Sequence, residues 1–273
     1  MEEVLTKLKE TAFMDKAYQK KVLILALYAG ELMMKNGAEI YRVEDTIVRI
    51  CKACRIPYVE CFATGTGIFL SLDKGGADDD VYTFIKRIHS TSTDLMKISQ
   101  INDFSRRFSS TDLSVEEGMD ILRNIDQQKP YPKAIRFLGA GLVGLAFCFM
   151  FGGGWKECLL SLIVVLGTHF ISGVIGRLQF NQFIRIFLSC SFATVASILL
   201  SYAIPGILIS PIIIASVTIF LPGVSITNSA RDLLSGQTLA GMAKATEAMI
   251  IAVAIAVGVG LVLQIWQISG GVL

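Results

Sequence analysis

Charged residues are scarce in this sequence and almost absent from its second half. Only 18% of the 273 residues are charged, and residues 134–273 hold six Lys/Arg and three Asp/Glu, against 19 and 20 in residues 1–133. With 53% hydrophobic residues, the chain is too apolar for an ordinary soluble domain. The first half is nearly neutral and lacks a dense basic patch, so we expect no nucleic-acid partner.

Soft metal ligands are also few. The chain has two histidines and six cysteines, and its single C-x-x-C pair is Cys51 and Cys54. A structural zinc site needs four ligands, and Cys61, His89 and His169 are the further soft partners that could join the pair. We therefore predict no metal and no cofactor, and we interpret Cys51 and Cys54 as thiols packed along a helix.

Catalytic motifs are missing as well. The stretch TGTGIFLS (64–71) contains two glycines, but it lacks the Lys-Ser/Thr of a P-loop and is followed by an apolar strand pattern. A tight connection between strands is the simpler interpretation. No nucleophile–base pair occurs at a recognisable spacing, so we predict that the chain is not an enzyme.

The first half predicts an α+β domain over residues 1–132. The apolar run 22–30 is too short and too closely preceded by acidic residues for a signal peptide, and it favours a buried helix. Helices are predicted over 17–35, 42–54, 93–108 and 114–127, the last with Ser114 and Glu117 at capping-box spacing. Three strands, YVECFA, GIFLSL and VYTFIKRI, predict an antiparallel meander, with the loop DKGGADDD before the third.

The second half, residues 133–273, predicts five transmembrane helices. Candidate spans cover about 135–152, 158–176, 183–204, 207–222 and 242–268, each near the length that a bilayer requires. Lysines and arginines collect before the first span and in the second and fourth loops, which predicts a cytoplasmic N-terminus and an external C-terminus. The fold class is thus an α-helical membrane protein with five spans, preceded by a cytoplasmic α+β domain.

Polar residues beside the fourth span form the first candidate site. Pro222-Gly223 should break that span, and the backbone exposed there must face protein or water. If 225–234 is helical, Thr227, Asn228 and Arg231 share a face that suits a carboxylate, with Asp232 limiting the exposed charge. An ordinary cytoplasmic loop, with Arg231 as a positive-inside anchor, fits the spacing equally well.

Two further residues in the spans are candidates for proton coupling. His169 lies near the middle of the second span, where it either carries a proton or hydrogen-bonds a carbonyl. Glu247 lies in the first turns of the last span, where a surface ion pair with Lys244 is the plain alternative. In the first half, Glu39, Arg42 and Glu44 stand close together in NGAEIYRVEDT (36–46), which also fits a solvated helix start.

The ordered segments NGAEIYRVEDTI, FATGTGIFLSL, STDLMKISQIN, LSVEEGMDIL and LPGVSITNSARDLLSGQTLAGMAKATEA resemble the threonine/serine exporter family, in the branch of YjjP-type subunits. The resemblance covers nearly the whole chain. Its most specific parts are Glu39, Arg42 and Glu44, then Thr64, Thr66 and Gly67, and the Pro-Gly segment that runs to Arg231 and Asp232. Family members commonly carry proline where this chain has Gly65.

The resemblance implies a multi-pass protein of the bacterial inner membrane that exports solutes with an ion gradient. Its substrates would be small amino acids such as threonine and serine, or short dicarboxylates such as succinate. Long family members carry two membrane halves in one chain, so the resemblance also implies a second small membrane subunit and a hetero-oligomer. The alternative is a membrane-anchored regulatory or ligand-sensing module without transport activity of its own.

Overall fold

The computed structural model describes residues 16–56, 58–73, 82–89, 91–178 and 180–271. Contacts between residues divide the chain into two compact units. The α+β unit comprises Met1–Lys129 and Thr227–Lys244, and the helical unit comprises Pro130–Ile226 and Ala245–Leu273. A single cut does not separate the units, because a polar segment late in the sequence belongs with the first 129 residues.

The α+β unit contains the helices and strands that its periodicity predicts. Its three strands form an antiparallel sheet in the order β1-β2-β3, which confirms the predicted meander. Most of the predicted loop DKGGADDD falls on residues 74–80, outside the described residues. The elements are α1 (Lys16–Lys35), α2 (Ile40–Ala53), β1 (Tyr58–Thr64), β2 (Gly67–Asp73), β3 (Tyr82–Arg87), α3 (Leu95–Ser110) and α4 (Val115–Gln127).

One apolar core holds this unit together. The predicted apolar face of α1 is fully buried, with Val22, Leu25 and Met33 completely inaccessible to solvent. Ala240, from the late segment, belongs to the same core. The predicted capping box is present at α4, where the Ser114 hydroxyl accepts from the Glu117 N–H and the Glu117 carboxylate accepts from the Ser114 N–H.

The two cysteines of the C-x-x-C pair lie inside this core. Cys51 is completely buried at the end of α2, and Cys54 is nearly so. Burial, together with the neighbouring Cys54 and Cys61 thiols, raises the pKa of the Cys51 thiol to about 12. Both side chains therefore pack as small apolar groups, and Cys51 remains a neutral thiol at ordinary pH.

The helical unit and the segments that join it to the α+β unit consist of six further helices. They are α5 (Lys133–Met150), α6 (Trp155–Arg177), α7 (Gln182–Ala203), α8 (Ile209–Thr218), α9 (Gly223–Leu234) and α10 (Thr238–Ile268). Among the described residues, four helices, α5, α6, α7 and α10, are long and apolar enough to cross a membrane. In each of them only 17% to 39% of the most apolar stretch is buried, as expected of helices that face lipid.

The predicted fourth span is the element that departs from a simple transmembrane helix. α8 has ten residues, about 15 Å of helix, and cannot cross a hydrocarbon core of about 30 Å alone. α9 follows after a break of four residues that includes Pro222, at an angle of 57°. The structure therefore has four candidate spans, or five if the bent pair of α8 and α9 counts as one.

Candidate functional site

Two glycine turns place the polar residues of the α+β unit. α1 ends in a Schellman motif: Gly37 has φ +86°, its N–H bonds to the Met34 carbonyl, and the Ala38 N–H bonds to the Met33 carbonyl. α9 ends in the same way, with Gly236 at φ +83° and the Gln237 N–H bonded to the Asp232 carbonyl. Each turn leads directly into the next helix, α2 in one case and α10 in the other.

Asp232 caps α2 although it is 192 residues away in sequence. Its Oδ1 accepts from the Ile40 N–H at 2.9 Å, and its Oδ2 accepts from Lys244 Nζ at 2.8 Å. Lys244 also donates to the Ala38 carbonyl at 3.1 Å. The first N–H groups of a helix lack partners within the helix, and no side chain of α2 itself supplies a cap. The completely buried Asp232 carboxylate thus satisfies both a helix start and a partly buried ammonium group.

Glu39 lies between two arginines at the start of α2. Arg231 Nη1 donates to its Oε1 at 2.7 Å, and Arg42 Nη1 donates to its Oε2 at 3.2 Å. Asn228 donates from Nδ2 to the Gly37 carbonyl at 2.8 Å. The Glu39 side chain is 6% exposed and that of Arg231 is 57% exposed, so part of the guanidinium remains open to solvent.

Glu44 lies one helical turn further along α2. Its Oε1 accepts from the Ala63 N–H of β1 at 2.8 Å, and its Oε2 accepts from the Gln237 amide at 2.5 Å. Glu44 therefore connects the sheet to the turn that follows α9. We call Glu39, Arg42, Glu44, Asn228, Arg231, Asp232, Gln237 and Lys244 the polar cluster.

The two glutamates of the polar cluster have opposite pKa shifts. Burial acts to raise the pKa of Glu39, but its own backbone N–H and the Arg231 and Arg42 guanidinium groups lower it below the usual 4.5 overall. Burial raises the pKa of Glu44 above 4.5, against the hydrogen bonds from Ala63 and Gln237, and the negative charge of Asp232 adds to the rise. Glu44 is thus the member of the pair that takes up a proton more readily.

Glu44 should make stability depend on pH in a direction opposite to that of Glu39. The neutral form of Glu44 favours the folded state below pH 4.5, and this contribution is lost as pH rises through the raised pKa. Glutamine resembles the neutral acid. We therefore expect Glu44→Gln to lose less thermal stability than the parent as pH rises from 4.5 through the raised pKa. The melting temperature of the full chain in detergent, followed from pH 4 to 8, measures this.

Glu60→Gln is the matched control, because Glu60 is exposed on β1 and its side chain forms no hydrogen bond or ion pair with the described residues of the polar cluster. It should leave the pH profile of the parent unchanged. A Glu44→Gln profile that runs parallel to the parent profile would contradict the assignment of this pH dependence to Glu44.

The other predicted motif residues of the first unit form the β1–β2 hairpin. Thr64 pairs with Gly67 across the hairpin, and the Thr66 carbonyl accepts from the Ile88 N–H at 2.9 Å. A Cβ at Gly65 would meet nothing within 4 Å, and Gly65 is not among the residues with positive φ. The turn therefore has room for a side-chain Cβ at residue 65. Glu44 reaches this hairpin through Ala63, next to Thr64.

The remaining predicted site residues are not members of the polar cluster. Thr227 is exposed on α9, and the buried side of that helix is formed by Asn228, Ser229 and Asp232. His169 lies on α6, where its ring contacts Phe137 edge-on with a centroid distance of 4.8 Å. Glu247 is exposed on α10. Lys244 binds Asp232, so the simple ion pair between Lys244 and Glu247 is wrong.

Sequence reasoning missed Gln237, and it missed the partly buried role of Lys244, which it considered only as a surface partner of Glu247. Gly236, one residue after the C-cap of α9, is the usual signal of a Schellman turn, and it would have placed Gln237 in a fixed position. The partner of Lys244 has no comparable local signal. No group of three or more potential metal ligands occurs in the part of the chain that the structure describes.

Comparison with known proteins agrees with the resemblance of the motifs. A family model described as "Putative threonine/serine exporter" matches residues 24–266. The "Probable threonine/serine exporter" of Mycobacterium tuberculosis is 21% identical over 90% of this chain and 46% of its own length. The "Threonine/serine exporter" of Corynebacterium glutamicum is 23% identical over 90% of this chain and 52% of its own length. The chain thus spans about half the length of these two relatives.

A relative of the same length is the "Probable succinate transporter subunit YjjP" of Escherichia coli. It is 24% identical over 95% of this chain and 100% of its own length. No solved structure matches the chain. Because the family model covers residues 24–266, including the polar cluster and all the candidate spans except the last two residues of α10, the chain belongs to the threonine/serine exporter family.

Proposed function

We propose that this chain is a subunit of a secondary active exporter for small solutes that carry a carboxylate. The solutes would be threonine- or serine-like amino acids or succinate-like dicarboxylates, as the names of the relatives suggest. The observation that carries the proposal is the family match over residues 24–266, which takes in both the candidate spans and the polar cluster. An exporter of this class needs no cofactor and performs no covalent chemistry.

We propose further that a second small membrane subunit of the same family completes the transporter. Two relatives are about twice as long as this chain, and the relative of equal length is named a subunit. Glu247 supports a partner, because it is exposed on a candidate span and has no hydrogen-bond or ion-pair partner among the described residues. A carboxylate that faces lipid is costly, and one that faces a polar group of a second subunit is not.

The distribution of basic residues supports an inner-membrane location with a cytoplasmic N-terminus. Lys133, Arg136, Arg177 and Arg185 lie at the ends of α5, α6 and α7 that the positive-inside rule assigns to the cytoplasm. A five-span arrangement then places the end of α10 outside the cell. A reporter fused after residue 271 that proves cytoplasmic would contradict five spans and leave four.

In the proposed mechanism the polar cluster is a gate. Arg231 is held by Glu39 and is more than half exposed, so a carboxylate of the solute can compete with Glu39 for the same guanidinium. Asn228 and Asp232 fix α9 against the start of α2 while that exchange takes place. Glu44, with its raised pKa, is the group of the cluster best suited to take up a proton during the cycle.

Initial export rates of labelled serine, threonine and succinate test the proposal, in vesicles that contain the chain with and without a second family subunit. We expect export only when both subunits are present. Arg231→Lys keeps the positive charge but loses the planar paired donors, and we expect it to lower the rate by roughly tenfold, about 1.4 kcal/mol.

Arg123→Lys is the control, because Arg123 lies outside the polar cluster and forms an exposed pair with Asp120 on α4. This variant should export like the parent. If Arg231→Lys and Asn228→Ala both export at the parent rate with equal amounts in the membrane, the cluster is not a gate. Absence of export with every partner tested, combined with ligand binding, would instead favour the sensing module.

A further inference from the structure

The helical unit contains a cavity of about 920 Å³ that the polar cluster does not share. It lies between α5, α6 and α7, and Ile219 and Phe220 close one side. Cavities that bind small molecules measure about 300–1,000 Å³, so this one is large enough for a solute of a few heavy atoms. Its polar lining is unusual: Lys133, Arg136, Arg177, Arg185 and His169 contribute to it, and no aspartate or glutamate does.

The four cationic side chains of this cavity lack balancing charge. None of them forms an ion pair with a carboxylate within the described parts of the chain. Arg185 Nε is buried and has no hydrogen-bond partner among the described residues. A buried donor without a partner is costly. An anion in the cavity would supply the missing acceptor and balance the positive charge of the four side chains, of which Lys133, Arg136 and Arg177 are exposed and Arg185 is partly buried.

The N-terminal ends of α5 and α7 add to the positive potential. Lys133 and Arg136 lie in the first turn of α5, and Arg185 lies in the first turn of α7. The partial positive charge at a helix N-terminus favours anions and disfavours cations, so these three cations stand where the backbone already attracts an anion. Arg177 is the last residue of α6, where it offsets the partial negative charge of a helix C-terminus and brings a fourth cationic side chain to the same cavity.

We propose that this cavity is the binding site for the exported solute. Its charges select a small dicarboxylate over a zwitterionic amino acid. This inference rests on the proposed exporter function. In the cavity, each of the two carboxylates of such a solute can accept hydrogen bonds from several cationic side chains. An amino acid also brings an ammonium group, which needs a carboxylate acceptor that the cavity lining lacks. The apolar wall formed by Val143, Phe170 and Val174 suits the methylene chain between two carboxylates.

Two glycines allow the cavity to be filled without removing a charge. A Cβ added at Gly139 on α5 or at Gly173 on α6 meets no atom within 4 Å, and both residues line the cavity. Gly173→Leu and Gly139→Leu therefore occupy space that the solute would need. Gly260→Leu is the matched control, because Gly260 on α10 is equally open and lies outside the cavity lining.

Equilibrium binding of labelled succinate to the purified full chain in detergent tests the assignment. We expect Gly173→Leu, Gly139→Leu and Arg177→Gln each to weaken binding at least tenfold. Gly260→Leu should stay within twofold of the parent, and so should Lys156→Gln, because Lys156 lies on α6 outside the cavity lining. Unlabelled serine should not compete. Succinate binding that survives all three cavity variants, or competition by serine as strong as by succinate, overturns the proposal.

A lipid phosphate has the same anionic chemistry, so phosphatidylglycerol in mixed micelles forms a separate arm. If it displaces succinate at stoichiometric amounts, the cavity holds a lipid headgroup and the assignment is wrong. The binding assay needs no partner subunit, which separates the two proposals. If the cavity variants leave export by the complex unchanged, the proposed binding site is wrong and the exporter function stands. If the chain binds succinate but no export occurs, the exporter function is wrong and the binding site stands.

Discussion

Asp232→Ala is expected to open the start of α2 and release the segment 227–244 from the α+β unit. The substitution leaves the Ile40 N–H without its acceptor and Lys244 without its carboxylate, with only the Ala38 carbonyl remaining to it. Removing one partner of a buried ion pair costs about 3–5 kcal/mol. At about 1.4 kcal/mol per tenfold, this cost corresponds to at least about a 100-fold change. Hydrogen exchange of peptides that cover residues 36–45, measured on the full chain in detergent, should accelerate by that factor.

Further variants separate lost charge from lost shape. Asp232→Asn keeps an acceptor for the Ile40 N–H and should have an intermediate effect. The double variant Asp232→Ala with Lys244→Met should be less damaging than Asp232→Ala alone, because no unpaired charge remains. Asp45→Ala, which breaks an exposed pair with Arg49, should change exchange little. Exchange in Asp232→Ala within threefold of the parent would show that the carboxylate is not the cap.

Gly144→Ala is expected to force α5 away from α6. Gly144 is buried, and a Cβ built there overlaps a methyl group of Val165 and lies 3.1 Å from the Val165 Cβ. Val165 is completely buried and its β-branched side chain has little freedom to move. Overpacking typically costs about 1–3 kcal/mol, more than the roughly 1 kcal/mol that alanine gains over glycine in a helix.

Thermal unfolding of the full chain in detergent, followed by tryptophan fluorescence, measures this effect through Trp155 at the start of α6. Gly260→Ala is the control, since its Cβ meets nothing, and it should melt at or slightly above the parent temperature. The double variant Gly144→Ala with Val165→Ala should recover part of the loss by removing the overlapping methyl groups. A Gly144→Ala variant as stable as Gly260→Ala would disprove the close approach.

Local signals predicted most elements of the fold but not their partners. Apolar periodicity placed α1, and the Ser114–Glu117 spacing placed the start of α4, because both depend on residues within one or two helical turns. The contact between Glu39 and Arg42 was foreseeable for the same reason. The contacts of Glu39 with Arg231 and of Glu44 with Gln237 join residues more than 190 positions apart, and no spacing rule reports them.

The same distinction explains the two partial predictions in the second half of the chain. Hydropathy predicts one apolar span over 207–222, whereas α8 has only ten residues. The chain breaks before Pro222, because proline cannot donate a backbone hydrogen bond within a helix. The face of α9 was predicted from Thr227, Asn228 and Arg231, whereas the buried residues are Asn228, Ser229 and Asp232. A rotation of one residue cannot be read from a short polar helix, since its packing partner decides which side is buried.

The cap that Asp232 provides for α2 has a consequence for how the protein is made. Ribosomes synthesise about 5–20 residues per second, so the 192 residues between Ile40 and Asp232 take about 10–40 s to follow. During that interval α2 exists without its cap, and the core lacks Ala240. The α+β unit, although most of it is translated first, is completed only after α5, α6, α7 and α8 have been synthesised. Factors that slow membrane insertion should therefore also expose this unit to proteases and chaperones.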